Sequence, residues 1–390
     1  MKIEKLLAAH TALRTENCIN LMASENVMSP AAMKALTNDL SNRYYAEAYG
    51  GTIYVRKLFS LVKELACQLF KAEKAFITPL SGNLADLAVL FAFSSPGDKI
   101  GTLSFSDGGY PLDYAYFHRT QVPLAYSREQ LTLDSEKSCE ILEDQQPPLV
   151  FLGCSFIPFP HPIREIAECV HSYGGIVAYD ASHPLGLIAG GEFQDPLREG
   201  ADILLGSTHK SFPGPQGGII LTYEPFAEKL DRIIGEDRWK HIVLFDSVHN
   251  GRVAALGITI EEMILNGEQY AKQIVKNSHG LAKGLSEGDV TLLTRTDGKV
   301  TCSHQVNLSI PDFEIGARLR NKLEKYRIFT DMGMRFGTSE VARKGYTKDE
   351  MIRVGAMISE ILQDNTDGDL KQDLVEQIRG LAHKHASVVI

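Results

Sequence analysis

The stretch Gly206-Ser-Thr-His-Lys210-Ser-Phe-Pro-Gly-Pro-Gln-Gly-Gly218 sets a lysine between an apolar run and a turn rich in glycine and proline. A lysine at a strand end can form Schiff bases if partial desolvation or a nearby positive charge lets its amine shed a proton. His209 rather than glycine precedes Lys210, so the segment is not a Walker A loop. Upstream, Tyr179-Asp180-Ala-Ser-His183 closes a run of Ile, Val and Ala. Asp180 then falls at the carboxyl edge of a sheet, where open α/β sheets bind ligands. A carboxylate there can keep a heteroaromatic ring nitrogen protonated. Thr78-Pro-Leu-Ser81-Gly82-Asn83 leads into the helical pattern Leu84, Leu87, Ala88, Phe91. The free N–H groups and dipole of a helix start suit a phosphate. Met332-Gly-Met-Arg335-Phe-Gly-Thr338 places one guanidinium in a short apolar strand, where a carboxylate would be a bidentate partner. Taken singly, these features have plainer readings: a solvated loop lysine, a turn cap at Asp180, an ordinary N-cap at Ser81 and a structural ion pair at Arg335. Their order along the chain favours a joint site.

The elements that must position these residues alternate between short apolar runs and helical periodicity, as in an α/β fold with a largely parallel sheet. Leu149 to Ser155 reads as a buried strand, His161 to His171 as a helix, and Ile176 to Asp180, Ile203 to Ser207 and Gly218 to Tyr223 as further strands. Pro160 and Pro162 bracket the helix start, and Gly174 and Gly175 can end it. From about Val253 the pattern is long and helical through Ile258, Met263, Ile274 and Leu281, then turns to shorter strands and helices. This divides the chain into residues 1–250, an N-terminal arm with a large doubly wound domain, and residues 251–390, the connecting helix with a smaller C-terminal α/β domain.

The bulk numbers narrow the function classes. With 390 residues and 44% hydrophobic content the chain can build two or three domains. A formal net charge of -9 offers no general attraction to phosphate backbones or acidic membranes, so neither nucleic acid nor membrane is expected as a partner. Cys18, Cys67, Cys139, Cys154, Cys169 and Cys302 are scattered without metal or disulfide spacing, which fits a reducing, cytoplasmic location. The first residues lack the pattern of a signal peptide. His383 and His385, in Ala-His-Lys-His-Ala, read as solvated side chains of a terminal helix rather than a metal site. Leu374, Ile378 and Leu381 read as its packing face.

Together the pieces resemble the serine hydroxymethyltransferase family, pyridoxal-phosphate enzymes of fold type I, from about Leu21 to Tyr346. Leu21-Met-Ala-Ser-Glu-Asn26 resembles the family's N-terminal signature. Tyr45-Ala-Glu47 and Tyr49-Gly-Gly51 resemble its tyrosine and glutamate segment, and Ser207-Thr-His-Lys210 its cofactor lysine. The resemblance implies pyridoxal 5'-phosphate bound to Lys210 as a Schiff base, with Ser81 and Gly82 at the phosphate. Tyr45 and Gly251 would reach that phosphate from the other subunit of a homodimer. Ser155 would lie near the phenolic oxygen, Asp180 at the ring nitrogen and His183 on the ring face, with Thr208 and His209 flanking the lysine. Ser24 and Arg335 would hold the amino-acid carboxylate, and Glu47 and Tyr49 would move protons or position the hydroxymethyl group.

Three stretches depart from the family pattern. About half a dozen residues are missing between Glu47 and Tyr49-Gly-Gly51, and a shift of about 1 Å in a catalytic group can already cost much of a rate. In Asp107-Gly-Gly-Tyr110-Pro111, Tyr110 stands for the ring-stacking histidine: it can stack but lacks imidazole proton chemistry. Tyr326-Arg-Ile-Phe-Thr-Asp-Met-Gly runs into the Arg335 strand without the insertion that helps form a folate pocket. The departures gather on the side that would hold a folate or other pterin. The expectation is therefore aldol cleavage or addition at the α-carbon of glycine or a β-hydroxy amino acid, with an aldehyde or one-carbon carrier as second partner. A folate-independent threonine aldolase or transaldolase is the alternative, followed by a transaminating or non-catalytic cofactor-binding member.

Overall fold

The computed structural model describes residues 1–45, 49–236, 243–288, 290–364 and 370–389. The chain forms two compact units, one of Met28–Glu268 and one of Met1–Val27 with Gln269–Ile390. The long helix Asn250–Ser286 carries the chain from the first to the second.

In the larger unit a seven-stranded sheet runs in the order Lys74–Phe76, Gly218–Thr222, Ile203–Ser207, Ile176–Asp180, Leu149–Leu152, Lys99–Thr102, Thr120–Pro123. Gly218–Thr222 is antiparallel to both neighbours, and the other pairings are parallel. Leu149–Leu152, Ile203–Ser207 and Gly218–Thr222 are buried along their whole length. A strand covered on both faces reads as a continuous apolar run rather than an alternating one, and that made these strands visible in sequence. The strands Ile176–Asp180 and Ile203–Ser207 have the expected bounds. The helix expected from His161 starts after Pro162, at Ile163, and ends at Ser172, with Gly174 at φ +82°. Helix Gly82–Phe93 packs its Ala85, Ala88 and Val89 into the core with Ile100, Phe151, Ala178, Ile203 and Ile220.

The smaller unit gathers Leu281, Val306, Ile328, Phe336, Met351, Val354, Ile358, Leu374 and Ile378 into its own core. Two small pairings organise it. Gln305–Asn307 is antiparallel to Arg335–Gly337, and Ile19–Asn20 is parallel to Ile328–Phe329. Helix Lys348–Gln363 opens with a capping box in which Thr347 Oγ1 accepts from the Glu350 amide and Glu350 accepts from the Thr347 amide at 2.8 Å. The same carboxylate accepts from Lys384 Nζ at 2.6 Å and lies 3.1 Å from His385 Nε2. His385 corrects the expectation of a solvated histidine: it is buried, with its ring stacked on Tyr346 at a centroid distance of 4.0 Å. Packing of the Leu374, Ile378 and Leu381 face against the core brings it there. Among the described residues no cluster of metal-ligating side chains occurs, and no helix is long and apolar enough to cross a membrane.

Burial raises the Glu350 carboxyl, but Lys384, the Thr347 amide and His385 outweigh it and hold the group down at about 2, from an ordinary 4.5. A depressed carboxyl contributes stability that is present above its unfolded value and is lost as pH falls toward the folded one. Glu350→Gln is expected to lower stability near neutral pH by about 1–3 kcal/mol. It should also flatten the fall in melting temperature between pH 4.5 and about 2, as read by thermal melts across that range.

Candidate active site

The parallel strands of the larger unit end along one edge, and the candidate residues follow those ends directly. Asp180 closes its strand, Ser155 lies just past Leu152, Tyr110 past Thr102, Ser81 past Phe76 and Lys210 just past Ser207. Short connections leave each side chain little freedom.

The helix beginning at Gly82 is seated on this edge by contacts that exclude a side chain. Ser81 is its N-cap, extended at φ -159°, ψ 166°, and its Oγ accepts from the Leu84 amide at 3.1 Å. A Cβ on Gly82 would lie 2.3 Å from Ser207 Oγ and 3.1 Å from Ser182 Oγ. Ser182 joins the neighbouring strand ends. Its Oγ accepts from the Ser207 amide at 2.9 Å, and its amide donates to Asp180 Oδ1 at 2.8 Å. Asp180 is thus oriented by its own turn and tied through Ser182 to the strand that carries Lys210.

The lysine turn is braced from within. The Thr208 amide donates to Gly217 O at 3.0 Å, Thr208 Oγ1 donates to Pro215 O at 2.7 Å, and the Gly214 amide returns to Thr208 O at 2.9 Å. Thr208 is fully buried and Lys210 half-buried. Buried His183 offers its carbonyl to Ser211 Oγ, which also accepts from the Gly186 amide at 2.9 Å. The Ser155 amide donates to Gly108 O at 2.7 Å and so fixes the Gly108–Gly109 turn ahead of Tyr110. The Tyr110 hydroxyl donates to Asn83 Oδ1 at 3.3 Å. Burial, then Asp86 and Asp180, push that phenol further above its ordinary value.

Tyr45 stacks on Phe59 at 4.1 Å and donates to Glu236 at 2.7 Å within its own chain. Gly251 is the second residue of the long helix, and a Cβ there would lie 2.1 Å from Ser41 Oγ. Tyr49 is exposed and stacked on Tyr44 at 4.7 Å. Glu47 lies outside the described residues.

In the smaller unit, Leu21 pairs with both strands at the arginine. Its amide donates to Phe329 O and its carbonyl accepts from the Gly337 amide, each at 2.8 Å. The adjacent Ala23 leaves no room for a Cβ on Gly337, whose nearest contact would be 2.3 Å. The segment ending at Ser24 is therefore packed against the strand of Arg335. Sequence reasoning left open an ion pair at Arg335, and one is present. Asp331 Oδ2 accepts from Nε at 3.1 Å and lies 3.0 Å from Nη2, while its Oδ1 accepts from the Gly333 amide at 2.9 Å.

Two acidic residues escaped the sequence reading. Asp331 was hidden because it meets Arg335, four residues on, across an irregular turn rather than within a helix where that spacing signals a pair. Asp86 had a signal: it is the one ionisable side chain in the apolar helix Gly82–Phe93, and it is buried.

The edge of strand ends, the glycine helix entry and the lysine after a buried strand define the architecture of fold-type I pyridoxal-phosphate enzymes. L-threonine transaldolase from Pseudomonas fluorescens, solved in its internal aldimine state, superposes with a TM-score of 0.89 at 24% identity over 98% of this chain and 91% of that one. The profile of the family "Serine hydroxymethyltransferase" matches residues 2–358. The serine hydroxymethyltransferase of Pyrococcus furiosus is 37% identical over 94% of this chain and 91% of its own length. That of Methanothermobacter thermautotrophicus is 36% identical over 98% and 94%, respectively. The chain belongs to the serine hydroxymethyltransferase family and is a pyridoxal-phosphate-dependent enzyme.

Gly82→Ala is expected to cost about 1–3 kcal/mol, as overpacking of a close contact does. Removing the struck oxygen with Ser207→Ala in the same chain should recover part of that loss, which denaturant melts of the single and double variants would show.

Proposed function

We propose that the protein catalyses reversible aldol cleavage at the α-carbon of a β-hydroxy amino acid, in the manner of a hydroxymethyltransferase acting on serine and glycine. The observation that carries the reading is the convergence of Lys210, Asp180, the Ser81–Gly82 helix start and Tyr110 along one sheet edge. The residues suit the cofactor: a helix start without a side chain for its phosphate, a carboxylate oriented by the Ser182 amide for its ring nitrogen, and a half-buried amine for its aldehyde. When bound, pyridoxal phosphate supplies an electron sink for the bond broken at the α-carbon.

The chain's own residues do the rest. The Ser81–Gly82 amides bind phosphate. Asp180 would hold the proton on the ring nitrogen, Tyr110 and His183 would cover the ring, and Ser155 would serve the phenolic oxygen. Thr208 and His209 fix the turn from which Lys210 reaches the aldehyde. Arg335, with Ser24, binds the substrate carboxylate, and Asp331 holds its guanidinium in plane. Glu47 takes the proton from the β-hydroxyl, and Tyr49 positions that group. Tyr45 and Gly251 serve the phosphate of a second subunit, which makes the enzyme a homodimer with shared sites. Six free cysteines fit a cytoplasmic location.

A second reading, a transaldolase that passes the glycine unit to another aldehyde without folate, draws on the short connection into Arg335. Ile328–Phe329 and Arg335–Gly337 are separated by a tight turn closed by Asp331. The solved protein that superposes on this chain is an L-threonine transaldolase.

The decisive experiment records the visible spectrum of the purified protein. It then follows cleavage of serine and threonine with tetrahydrofolate, with an acceptor aldehyde, and with neither. The hydroxymethyltransferase reading expects serine cleavage to depend on the folate; threonine cleavage accelerated by the aldehyde alone would replace it with the second reading. Lys210→Ala should abolish the visible band that borohydride bleaches, and retention of that band would overturn the assignment of the lysine. Arg335→Lys should raise KM for the amino acid about 10- to 100-fold, the equivalent of about 1.5–3 kcal/mol in charge-assisted hydrogen bonding, with a smaller change in kcat.

A further inference from the structure

Tyr110 is held at both ends. Its backbone leaves a crowded turn in which the Ser155 amide donates to Gly108 O at 2.7 Å and the Gly109 amide to Ser104 O at 2.9 Å. A Cβ on Gly109 would lie 2.3 Å from Leu103 O, so only glycine fits there. Pro111 follows and restricts Tyr110 to extended backbone. At the other end the phenol donates to Asn83 Oδ1 at 3.3 Å. Asn83 in turn belongs to the helix start. Ser81 takes the Leu84 amide on its Oγ and the Ala85 amide on its carbonyl, each at 3.1 Å. The amides of Gly82 and Asn83 precede the first intrahelical bonds and have no acceptor within the helix. A Cβ on Gly82 would strike Ser207 and Ser182, and the Ser182 amide orients Asp180. One residue thus offers its backbone amide at the helix start and its side-chain carbonyl to the phenol. Asn83 is half-buried and Tyr110 is 40% exposed, so the pair stands at the solvent border of the site rather than in the core. A hydrogen bond between two such side chains adds little to folding; its consequence is where it puts the ring.

We infer that Asn83 is a positioning residue of the cofactor site: its side chain holds the Tyr110 ring in the orientation that covers the cofactor, and so joins the ring cover to the phosphate anchor. The inference rests on the pyridoxal-phosphate reading of the site. No covalent bond changes in this role. A phenol already held by Asn83 loses little freedom when the cofactor ring arrives, so less of the stacking energy is offset by ordering it. Removing the carbonyl or the hydroxyl frees the tyrosine ring to turn about its side-chain torsions. Removing both frees it no further, because the contact is already lost.

The test titrates pyridoxal 5'-phosphate into the full-length, cofactor-free protein and into its Asn83→Ala, Tyr110→Phe and doubly substituted forms. Asn83→Ala keeps the backbone amide at the helix start, and Tyr110→Phe keeps the ring. Each single variant is expected to weaken cofactor binding about 3- to 10-fold, the range of one neutral hydrogen bond. Each should also lower the visible circular dichroism of the bound cofactor at saturation, a signal set by how the rings are oriented. The double variant should bind no more weakly than the weaker single. Losses that multiply in the double variant would overturn the inference, because a helix start merely disturbed by alanine weakens binding whether or not the hydroxyl is present. An Asn83→Ala protein with wild-type affinity and wild-type ellipticity would overturn it too. If the wild type binds no pyridoxal phosphate, the cofactor reading falls and takes this one with it. Cofactor binding with multiplied losses removes only the role of Asn83.

Discussion

The site depends on a close approach: the first turn of helix Gly82–Phe93 rests on the ends of two buried strands with no side chain between them. Ser207 Oγ would stand 2.3 Å from a Cβ at Gly82, and the Ser81 carbonyl oxygen would stand at the same distance from a Cβ at Gly218. Because the helix start, the Asp180 turn and the Lys210 turn touch through Ser182 and Ser207, their separations are set by van der Waals contact and short hydrogen bonds. The helix start, the Asp180 carboxylate and the turn that carries the Lys210 amine are therefore held at fixed spacing before any ligand arrives, and such preorganisation is what positioning catalysis requires.

The electrostatics follow from the same packing. Close seating of the helix buries Asp86, and burial with the charge of Asp180 pushes its carboxyl above the usual carboxylate range. Burial pushes the Tyr110 and Tyr114 phenols further above their ordinary value, so the edge has phenolic donors rather than further negative charge.

The smaller unit solves a parallel problem with different means. Arg335 is kept in plane by Asp331, itself held by the Gly333 amide, and the arm residues Leu21 to Ala23 close over the strand at Gly337. Asn20, buried at 2% exposure, donates to both Glu25 and Glu340, and Glu340 pairs with Lys344 at 2.8 Å. This polar network ties the N-terminal arm to residues more than 300 positions away. A buried ion pair stabilises little by itself, but breaking one leaves an uncompensated charge, so the network penalises any other placement of the arm.

Local patterns in the chain carried much of this. Continuous apolar runs marked the central strands, prolines and glycines marked the helix bounds near Pro162 and Gly174, and the motif around Lys210 marked the turn. These are consequences of backbone chemistry within a few residues. Departures at Tyr110 and before Arg335 were equally legible, because they are substitutions and lengths. What the sequence by itself determined is the class of chemistry: an α/β sheet whose edge carries a lysine, an acid and a helix start entered through glycine, in the order of one family. Only the tertiary structure decided that Asp86 is buried, that Asp331 holds Arg335, and that His385 is buried under Tyr346 rather than in solvent. Each of these depends on which distant surfaces are pressed together, and burial and pairing energies arise from that contact rather than from any local pattern of residues.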